Sequence, residues 1–313
     1  MHIQDYIGQA RIVDHTDDWT DEDYSAYRHD ATAGGCIGGS DAGAVLGIDP
    51  YRSKMELYLQ LTGQLQPSDV ENERMWCGRM LQDALQGMFE QRSHRSTVSL
   101  NVILQHPDYD WMIATPDAFI LPCNTDGIGI LELKNTGTFM AHNWKDGAIA
   151  DSAYAQLLHY LMVTGHRYGY VAALIGGNRF EVRRVDRDEN LIDKLLAWEL
   201  AFHDAVVHGQ MPEWTAADAE VVSQLYPAGS ARPGLVDLPS DLISLVDDYE
   251  QGHLLEKEGK RMKETAQVKL QAALGESTAG TIGGLAEVYW EPQTRKSYVV
   301  PEKTFRRFRV KRA

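Results

Sequence analysis

Three residues in the middle of the chain, Asp117, Glu132 and Lys134, have the types and spacing needed to hold a divalent cation beside a phosphate ester. Asp117 follows a proline at the end of one predicted strand, and the other two lie two positions apart on the next. Successive side chains of a strand point to opposite faces, so Glu132 and Lys134 share a face while Leu133 points into apolar packing. We therefore expect the two carboxylates and the amine to converge where these strands are neighbours.

Such a cluster is suited to metal-assisted hydrolysis of a phosphodiester. Two carboxylates offer the oxygen ligands that Mg²⁺ or Mn²⁺ prefers, and the backbone carbonyl of Leu133 is a natural further ligand. A cation held there polarises the phosphate, while Lys134 orients the attacking water or neutralises negative charge. The pattern D-x(n)-E-x-K is short, however, and occurs often by chance. The alternative is a half-exposed strand with an ordinary surface ion pair.

Hydrophobic periodicity and capping residues predict a mixed α/β body around these residues. Ser53 and Glu56 have the spacing of a capping box, which begins a helix that ends near Gly63. The first three strands are predicted to form an antiparallel meander, because their connections are too short for helical crossovers. The predicted segments are helices at 53–62, 73–91, 152–163 and 188–208, and strands at 97–104, 111–120, 129–134, 168–175 and 179–185.

A second candidate site lies in a glycine-rich segment upstream. Two glycines and Ser40 precede a run of small residues at 41–46, which is predicted to form a short helix with Ser40 as its N-cap. Free N–H groups and the helix dipole favour an anion there, and Arg28 and Arg52 could add bidentate contacts to a phosphate. The alternative is a structural helix cap flanked by surface arginines.

Four separated segments, taken together, carry a resemblance to a known family. They are IGGSDAGAVLGIDPYRSKMELYLQLTG (37–63), MWCGRMLQDALQGMFE (75–90), ATPD with LELK (114–134) and AQLLHYLMVTG (155–165). In the last of them, Gln156 and Tyr160 are spaced like the QxxxY motif of RecB-type nucleases. In this order and at these spacings, residues 28–210 resemble the YqaJ-type viral recombinases, the family of phage lambda exonuclease within the PD-(D/E)XK nuclease superfamily.

The resemblance implies an α/β (α+β) fold with a restriction-endonuclease-like core, in which a mixed sheet is flanked by helices. It implies an exonuclease dependent on one or two Mg²⁺ or Mn²⁺ ions, which degrades linear double-stranded DNA 5′ to 3′ beside a single-strand annealing protein of the RecT or Red-beta type. In relatives, the residues matching Arg28, Ser40 and Arg52 hold the 5′-phosphate of the shortened strand. Gln156 and Tyr160 are expected to steady the DNA backbone or the active-site strand. A homo-oligomer is implied as well, a ring-shaped trimer in one relative.

One position departs from the family's pattern. Relatives commonly have a glutamate four residues after the glycine of the second segment, where this chain has Gln82 followed by Asp83. Gln82 can hydrogen-bond metal-bound water but brings no negative charge, and Asp83 points about 100° away around a helix. The predicted metal ligands are therefore Asp117 and Glu132, and Gln82 could contribute through a water molecule. We expect a reduced affinity for a second metal ion.

Composition limits the remaining interpretation. The 313 residues, 43% of them hydrophobic, suffice for a nuclease domain at 1–226 that includes the 5′-phosphate-binding region. A linker at 227–240 and an extension at 241–313, with a long helix and a β-hairpin from residue 284, are expected to follow. Neither a membrane span nor a signal peptide is predicted, so we expect a cytoplasmic protein, in a bacterial host and of phage or prophage origin as the resemblance implies. The net charge of −15 argues against passive DNA coating, but a metal-holding body with the basic tail KTFRRFRVKRA suits a nuclease.

Two alternative functions stay open from the sequence. The first is a protein of the same fold that binds DNA ends or a recombination partner without cutting, an option that Gln82 favours. The second is an endonuclease of the superfamily. Three separated cysteines do not supply the four-cysteine set of an iron–sulfur nuclease, and they indicate neither a zinc site nor a disulfide framework.

Overall fold

A computed structural model describes residues 2–28, 35–66, 73–123, 126–294, 302 and 304–310. The chain divides into two compact units, Met1–Leu225 and Tyr226–Ala313. The helices of the first unit are α1 (Ile3–Ile7), α2 (Asp21–Arg28), α3 (Ala42–Leu46), α4 (Lys54–Leu61), α5 (Glu73–Ser93), α6 (Asp151–Thr164), α7 (Glu189–Val207) and α8 (Ala219–Leu225). Its strands are β1 (Arg11–His15), β2 (Ile37–Gly38), β3 (Thr97–Val98), β4 (Val102–Gln105), β5 (Met112–Ala114), β6 (Ala118–Ile120), β7 (Gly129–Thr136), β8 (Tyr168–Ile175) and β9 (Arg179–Asp186).

The strands of the first unit form two mixed sheets. The larger sheet has the order β3-β6-β7-β8-β9, in which β7 and β8 are parallel and the other neighbours antiparallel. The smaller sheet has the order β1-β4-β5-β2, in which β2 and β5 are parallel. Parallel neighbours need a long crossover, and α6 lies in the one between β7 and β8. The predicted mixed α/β fold is confirmed.

The first three predicted strands pair antiparallel in chain order, as the predicted meander requires, but the prediction of three continuous strands in one sheet is wrong. The predicted strands at 97–104 and 111–120 are each divided in two, and the halves belong to different sheets. Asn101 interrupts the first with a left-handed backbone, φ 48°, which β structure does not tolerate. Pro116 interrupts the second, because proline has no N–H to donate to a ladder. The second break places the following residue, Asp117, at the start of a new strand.

Helices cover both faces of the larger sheet. On one face, Leu85 and Phe89 of α5 pack in a cluster with Leu133 of β7. On the other, Leu161 of α6 belongs to the main core together with Ile130 of β7. This alternation along β7 confirms that Leu133 points away from the face that carries the predicted charged residues.

Capping residues explain where the helices begin and end. The hydroxyl of Ser53 accepts a hydrogen bond from the N–H of Glu56 at 3.0 Å, so α4 begins where the capping box predicted. Asp188 accepts from the N–H of Leu191 in the same way and begins α7. Gly165, in the left-handed conformation at φ 73°, follows the last residue of α6.

The second unit contains α9 (Ile243–Leu274) and a hairpin of β10 (Ala279–Ile282) and β11 (Ala286–Tyr289). The hairpin was predicted to start at residue 284, but its first strand begins at Ala279. Three basic residues of the tail, Lys303, Lys311 and Arg312, lie outside the described residues. None of the described helices combines the length and apolar character that crossing a bilayer requires.

Candidate active site

Asp117 stands where β6 begins, beside the middle of β7. Ala118 pairs with Leu131 in the antiparallel ladder, so the next opposing residues are Asp117 and Glu132. The ladder stops there, and a carboxylate oxygen of Asp117 accepts a hydrogen bond from the Leu133 N–H at 2.7 Å. The structure thus brings together the two acids that the sequence singled out.

Lys134 lies on the same face of β7 as Glu132. Its Nζ is 2.7 Å from Glu132 Oε1 and donates at 2.6 Å to Oε1 of Gln156 on α6. Gln156 Nε2 in turn donates to the hydroxyl of Tyr160 at 2.9 Å. Glu132 is 2% exposed, whereas the Lys134 side chain keeps 31% of its surface. One hydrogen-bonded chain therefore connects four predicted site residues and leaves the amine accessible.

Tyr160 links this cluster to the glycine-rich segment. Gln156 and Tyr160 are one helical turn apart and therefore share a face of α6, and both are buried. The ring of Tyr160 lies directly against Gly39, where an added Cβ would be 2.4 Å from Tyr160 Cε1. Glycine at 39 permits this close approach. The acidic cluster and the turn that contains Ser40 are thus held by the same helix.

The cluster of Asp117, Glu132 and Lys134 contains more negatively ionisable groups than positive ones. Burial, and then the charge of Glu132, raise the pKa of Asp117 well above its usual range. Burial also raises the pKa of Glu132, although Lys134 opposes that effect. For Lys134, burial alone would lower the pKa, but the charges of Glu132 and Asp117 raise it, so the ammonium keeps its proton. Two carboxylates face one ammonium, and a divalent cation would supply the missing charge.

The donor set fits Mg²⁺ or Mn²⁺. Asp117 and Glu132 offer carboxylate oxygens, and the Leu133 carbonyl points to the same side of β7 as its N–H, toward Asp117. The part of the chain that the structure describes contains no group of three or more His, Cys, Asp or Glu that could hold a metal ion. The remaining ligands would therefore be backbone carbonyls and water, and Mg²⁺ usually keeps several waters.

Gln82 reaches the cluster from α5 as a neutral neighbour. Its Nε2 donates to Asp117 Oδ1 at 3.2 Å, while Asp83 is exposed and does not take its place. A pocket of about 250 Å³ opens beside Gln82 and Asp117 and gives room for a substrate group. Its other lining residues are Thr16, Trp19, Thr20, Asn101, Val102, Thr115 and Pro116.

Ser40 lies in a 3₁₀ turn, Gly39–Asp41, and the prediction that it is a helix N-cap is wrong. The helix α3 begins at Ala42, its N-cap residue is Asp41, and no side chain caps it. The Asp41 carboxylate instead accepts from the Gly38 N–H at 2.8 Å, which pulls the chain into the tighter turn. Ser40 itself is exposed. An anion site here would depend on side chains and not on the dipole of this short helix.

Arg28, Ser40 and Arg52 lie together around an acid that the sequence interpretation missed. Both guanidinium groups form ion pairs with Asp41, one to each carboxylate oxygen. Arg52 Nη2 also donates to the Ser40 carbonyl at 3.1 Å. The sequence does contain a signal for this role, since Asp41 is a single acid within a run of small apolar residues. An acid buried in such a run requires a partner of opposite charge.

This chain is similar to known proteins over most of its length. The family model described as the YqaJ-like viral recombinase domain matches residues 24–167, which include all four segments that carried the resemblance. The uncharacterized protein YqaJ of Bacillus subtilis (strain 168) is 31% identical over 265 residues, covering 82% of this chain and 80% of that protein.

Two solved structures of one enzyme are similar as well. The alkaline exonuclease LHK-Exo from Laribacter hongkongensis aligns with a TM-score of 0.49 at 19% identity, over 60% of this chain and 94% of that chain. LHK-Exo in complex with dAMP aligns with a TM-score of 0.48 at 19% identity, over 66% and 97%. The extent and identity of the match to the Bacillus protein decide the assignment, and this chain belongs to the YqaJ-like viral recombinase family.

Proposed function

We propose that the protein is a divalent-metal-dependent deoxyribonuclease that hydrolyses phosphodiester bonds of linear double-stranded DNA. The observation that supports this most strongly is the convergence of Asp117, Glu132 and Lys134 where the start of β6 meets the middle of β7. Membership in a viral recombinase family is consistent with DNA as the substrate.

Asp117 and Glu132 would hold the cation through their carboxylate oxygens, with the Leu133 carbonyl as a further ligand. When bound, the cation polarises the scissile phosphate and makes water in the site a better nucleophile. Lys134 stays protonated between Glu132 and Gln156, so its Nζ places positive charge where negative charge grows on the phosphate. The N–H groups of the Lys134 ammonium can also orient the attacking water.

The surrounding polar side chains keep these groups in position. Gln156 accepts a hydrogen bond from Lys134 and donates one to Tyr160, which fixes the amine relative to α6. Gln82 holds Asp117 Oδ1 from the opposite helix. Mutual positioning of this kind matters because reacting groups misplaced by about 1 Å can lose about a hundredfold in rate.

We further propose that digestion begins at a 5′-phosphorylated end and runs 5′ to 3′. The 5′-phosphate would bind to Ser40, on the turn that Tyr160 contacts, and to Arg28 and Arg52, which pair with Asp41 of the same turn. The neutral Gln82 favours one cation over two. Transfer of the exposed strand to a single-strand annealing protein and assembly into a homo-oligomer stay predictions from the resemblance, and a cytoplasmic location stays a prediction from the sequence.

A DNA-end-binding protein that does not cut is the second candidate. The observation that favours it is the amide of Gln82, which directs an N–H donor, and no negative charge, at Asp117. Such a protein would bind the cation and DNA ends through the same residues without turnover.

The decisive experiment is digestion of uniformly labelled DNA with and without Mg²⁺. The substrates are a 5′-phosphorylated linear duplex, the same duplex with 5′-hydroxyl ends, and a closed circle. We expect Mg²⁺-dependent release of label from the phosphorylated duplex first, while circles stay intact. Asp117→Ala and Glu132→Ala are expected to abolish digestion, and Asp83→Ala, which removes an exposed carboxylate of α5, is expected to retain it.

Each other outcome has a distinct meaning. Metal binding without digestion of any substrate would favour the end-binding candidate, and cleavage of circles would favour an endonuclease. Undiminished digestion by Asp117→Ala would refute the assigned site.

A further inference from the structure

Asp41 is a fully buried acid with both carboxylate oxygens engaged. Oδ1 pairs with Arg52, while Oδ2 pairs with Arg28 and accepts from the Gly38 N–H at 2.8 Å. Burial opposes ionisation, but the charges of Arg28 and then Arg52 hold the pKa of Asp41 below its usual range. A permanently charged carboxylate thus lies between the two arginines.

The two arginines come from separate segments that Asp41 joins. Arg28 ends α2, and Arg52 lies between α3 and α4. Their side chains are 11% and 19% exposed, so both are largely enclosed yet open on one side. Arg52 is fixed further, because its backbone N–H donates to Asp49 at 3.2 Å and its Nη2 donates to the Ser40 carbonyl at 3.1 Å. The guanidinium groups are therefore ordered before any ligand arrives.

We propose that Asp41 is the positioning residue of a terminal-phosphate site. It orders Arg28 and Arg52 so that they receive the 5′-phosphate of a DNA end beside the exposed Ser40, and it thereby sets the preference for phosphorylated over hydroxyl ends. Pre-ordering raises affinity, since flexible side chains otherwise lose conformational entropy on binding. The inference rests on the DNA-end substrate of the proposed function.

The net charge of Arg28, Arg52 and Asp41 and the positioning role of Asp41 predict opposite effects of the substitution Asp41→Asn, so the two explanations can be distinguished. Two arginines and one aspartate give a formal charge of +1 (two minus one), and Asp41→Asn raises it to +2. If Asp41 only moderated charge, the variant would bind every DNA end more tightly and with a steeper salt dependence. If Asp41 positions the arginines, the variant loses discrimination in spite of its greater positive charge.

The experiment measures binding in EDTA by fluorescence anisotropy, with one labelled DNA hairpin that carries either a 5′-phosphate or a 5′-hydroxyl. We expect wild type to bind the phosphorylated end more tightly. In Asp41→Asn, the ratio of the two dissociation constants is expected to fall roughly tenfold, because two arginines must then be ordered on binding. Affinity for the hydroxyl end is expected to stay nearly constant.

Asp126→Asn is the matched control. Asp126 also joins two arginines, Arg95 at 2.7 Å and Arg184 at 2.9 Å, but it does so on the β9 side of the larger sheet. A wild-type ratio in this control, with a reduced ratio in Asp41→Asn, supports the proposal. An equal reduction in both variants, or tighter binding of both ends by Asp41→Asn, overturns it.

Arg52→Lys provides a second variant if Asp41→Asn does not fold. Lysine keeps the charge but replaces the planar guanidinium, whose Nη2 contacts both Asp41 and the Ser40 carbonyl, with a compact and flexible ammonium, so the ratio is again expected to fall. An unchanged ratio would overturn the proposal. Because the measurement needs no cleavage, a failure of the nuclease proposal leaves this inference intact. A wild-type protein that digests DNA without end preference would refute this inference and the proposed start at a 5′-phosphorylated end, but not the proposed nuclease activity.

Discussion

Replacing Asp117 by Asn is expected to separate the stability of the fold from the binding of the cation. Asparagine keeps an oxygen for the Leu133 N–H but removes one of the two facing carboxylates. Without metal, Asp117, Glu132 and Lys134 carry a formal charge of −1 when all three are ionised, and the substitution brings it to zero. Burial, and then repulsion from Glu132, raise the pKa of Asp117, and a neutral asparagine is subject to neither effect, so the metal-free variant is expected to be at least as stable as wild type at pH 8.

The effect of the cation follows from mass action. A ligand that binds only the folded state, at a hundred times its dissociation constant, stabilises that state by about 2.7 kcal/mol. In a cooperative unit the size of residues Met1–Leu225, each kcal/mol raises the melting temperature by roughly 2–4 °C. Wild type is therefore expected to gain roughly 5–10 °C with saturating Mg²⁺ or Mn²⁺, while Asp117→Asn gains almost nothing.

Differential scanning calorimetry of both proteins, in EDTA and across a metal titration, provides the measurement. Asp83→Asn is the control, because it removes an exposed carboxylate from the helix that carries Gln82. This control is expected to show the full metal-dependent rise. A wild-type rise in Asp117→Asn, or a metal-free variant that melts several degrees below wild type, would show that Asp117 does not form a charge-deficient cation site.

Two other predictions concern residues around the cluster. Gln82→Glu is expected to raise metal affinity roughly tenfold and to lower the metal-free melting temperature, because it adds a third carboxylate beside Asp117; isothermal titration that shows no gain would contradict this. Buried His159 lies 2.9 Å from Glu199 and 2.7 Å from the carbonyl of Ile113 through its two ring nitrogens. Burial would lower the pKa of His159, but the charge of Glu199 raises it above the ordinary value. The ion pair of protonated His159 with Glu199 therefore stabilises the fold fully below about pH 6.5, and this stabilisation is lost as pH rises through the raised pKa. It amounts to about 1.4 kcal/mol per unit of pKa difference. Urea unfolding is expected to show a larger loss of stability between pH 6 and pH 9 in wild type than in Glu199→Gln, and equal losses would refute the pairing.

The predictable part of the site was the part that depends on local periodicity. Alternation along one strand put Glu132 and Lys134 on a common face, and the spacing of Gln156 and Tyr160 put them on one face of a helix. These relations hold whatever the rest of the fold does. The structure adds the hydrogen bonds that join the two pairs, which depend on how α6 packs on β7.

The features missed from sequence depend on contacts between distant segments or on single-residue breaks. Asn101 and Pro116 divide predicted strands, and the resulting halves join different sheets. Asp41 shows no partner in its local sequence, because the arginines that neutralise it come from a preceding helix and a following loop. Ser40 has the residue type of an N-cap, yet the turn closed by Asp41 moves the start of the helix beyond it.

The most direct test of the central claim is the release of 5′ label from linear, phosphorylated duplex DNA in the presence and absence of Mg²⁺. The account predicts rapid release with Mg²⁺, none in EDTA, and none from Asp117→Ala under either condition. Release that persists in EDTA, or that survives in Asp117→Ala, would contradict it.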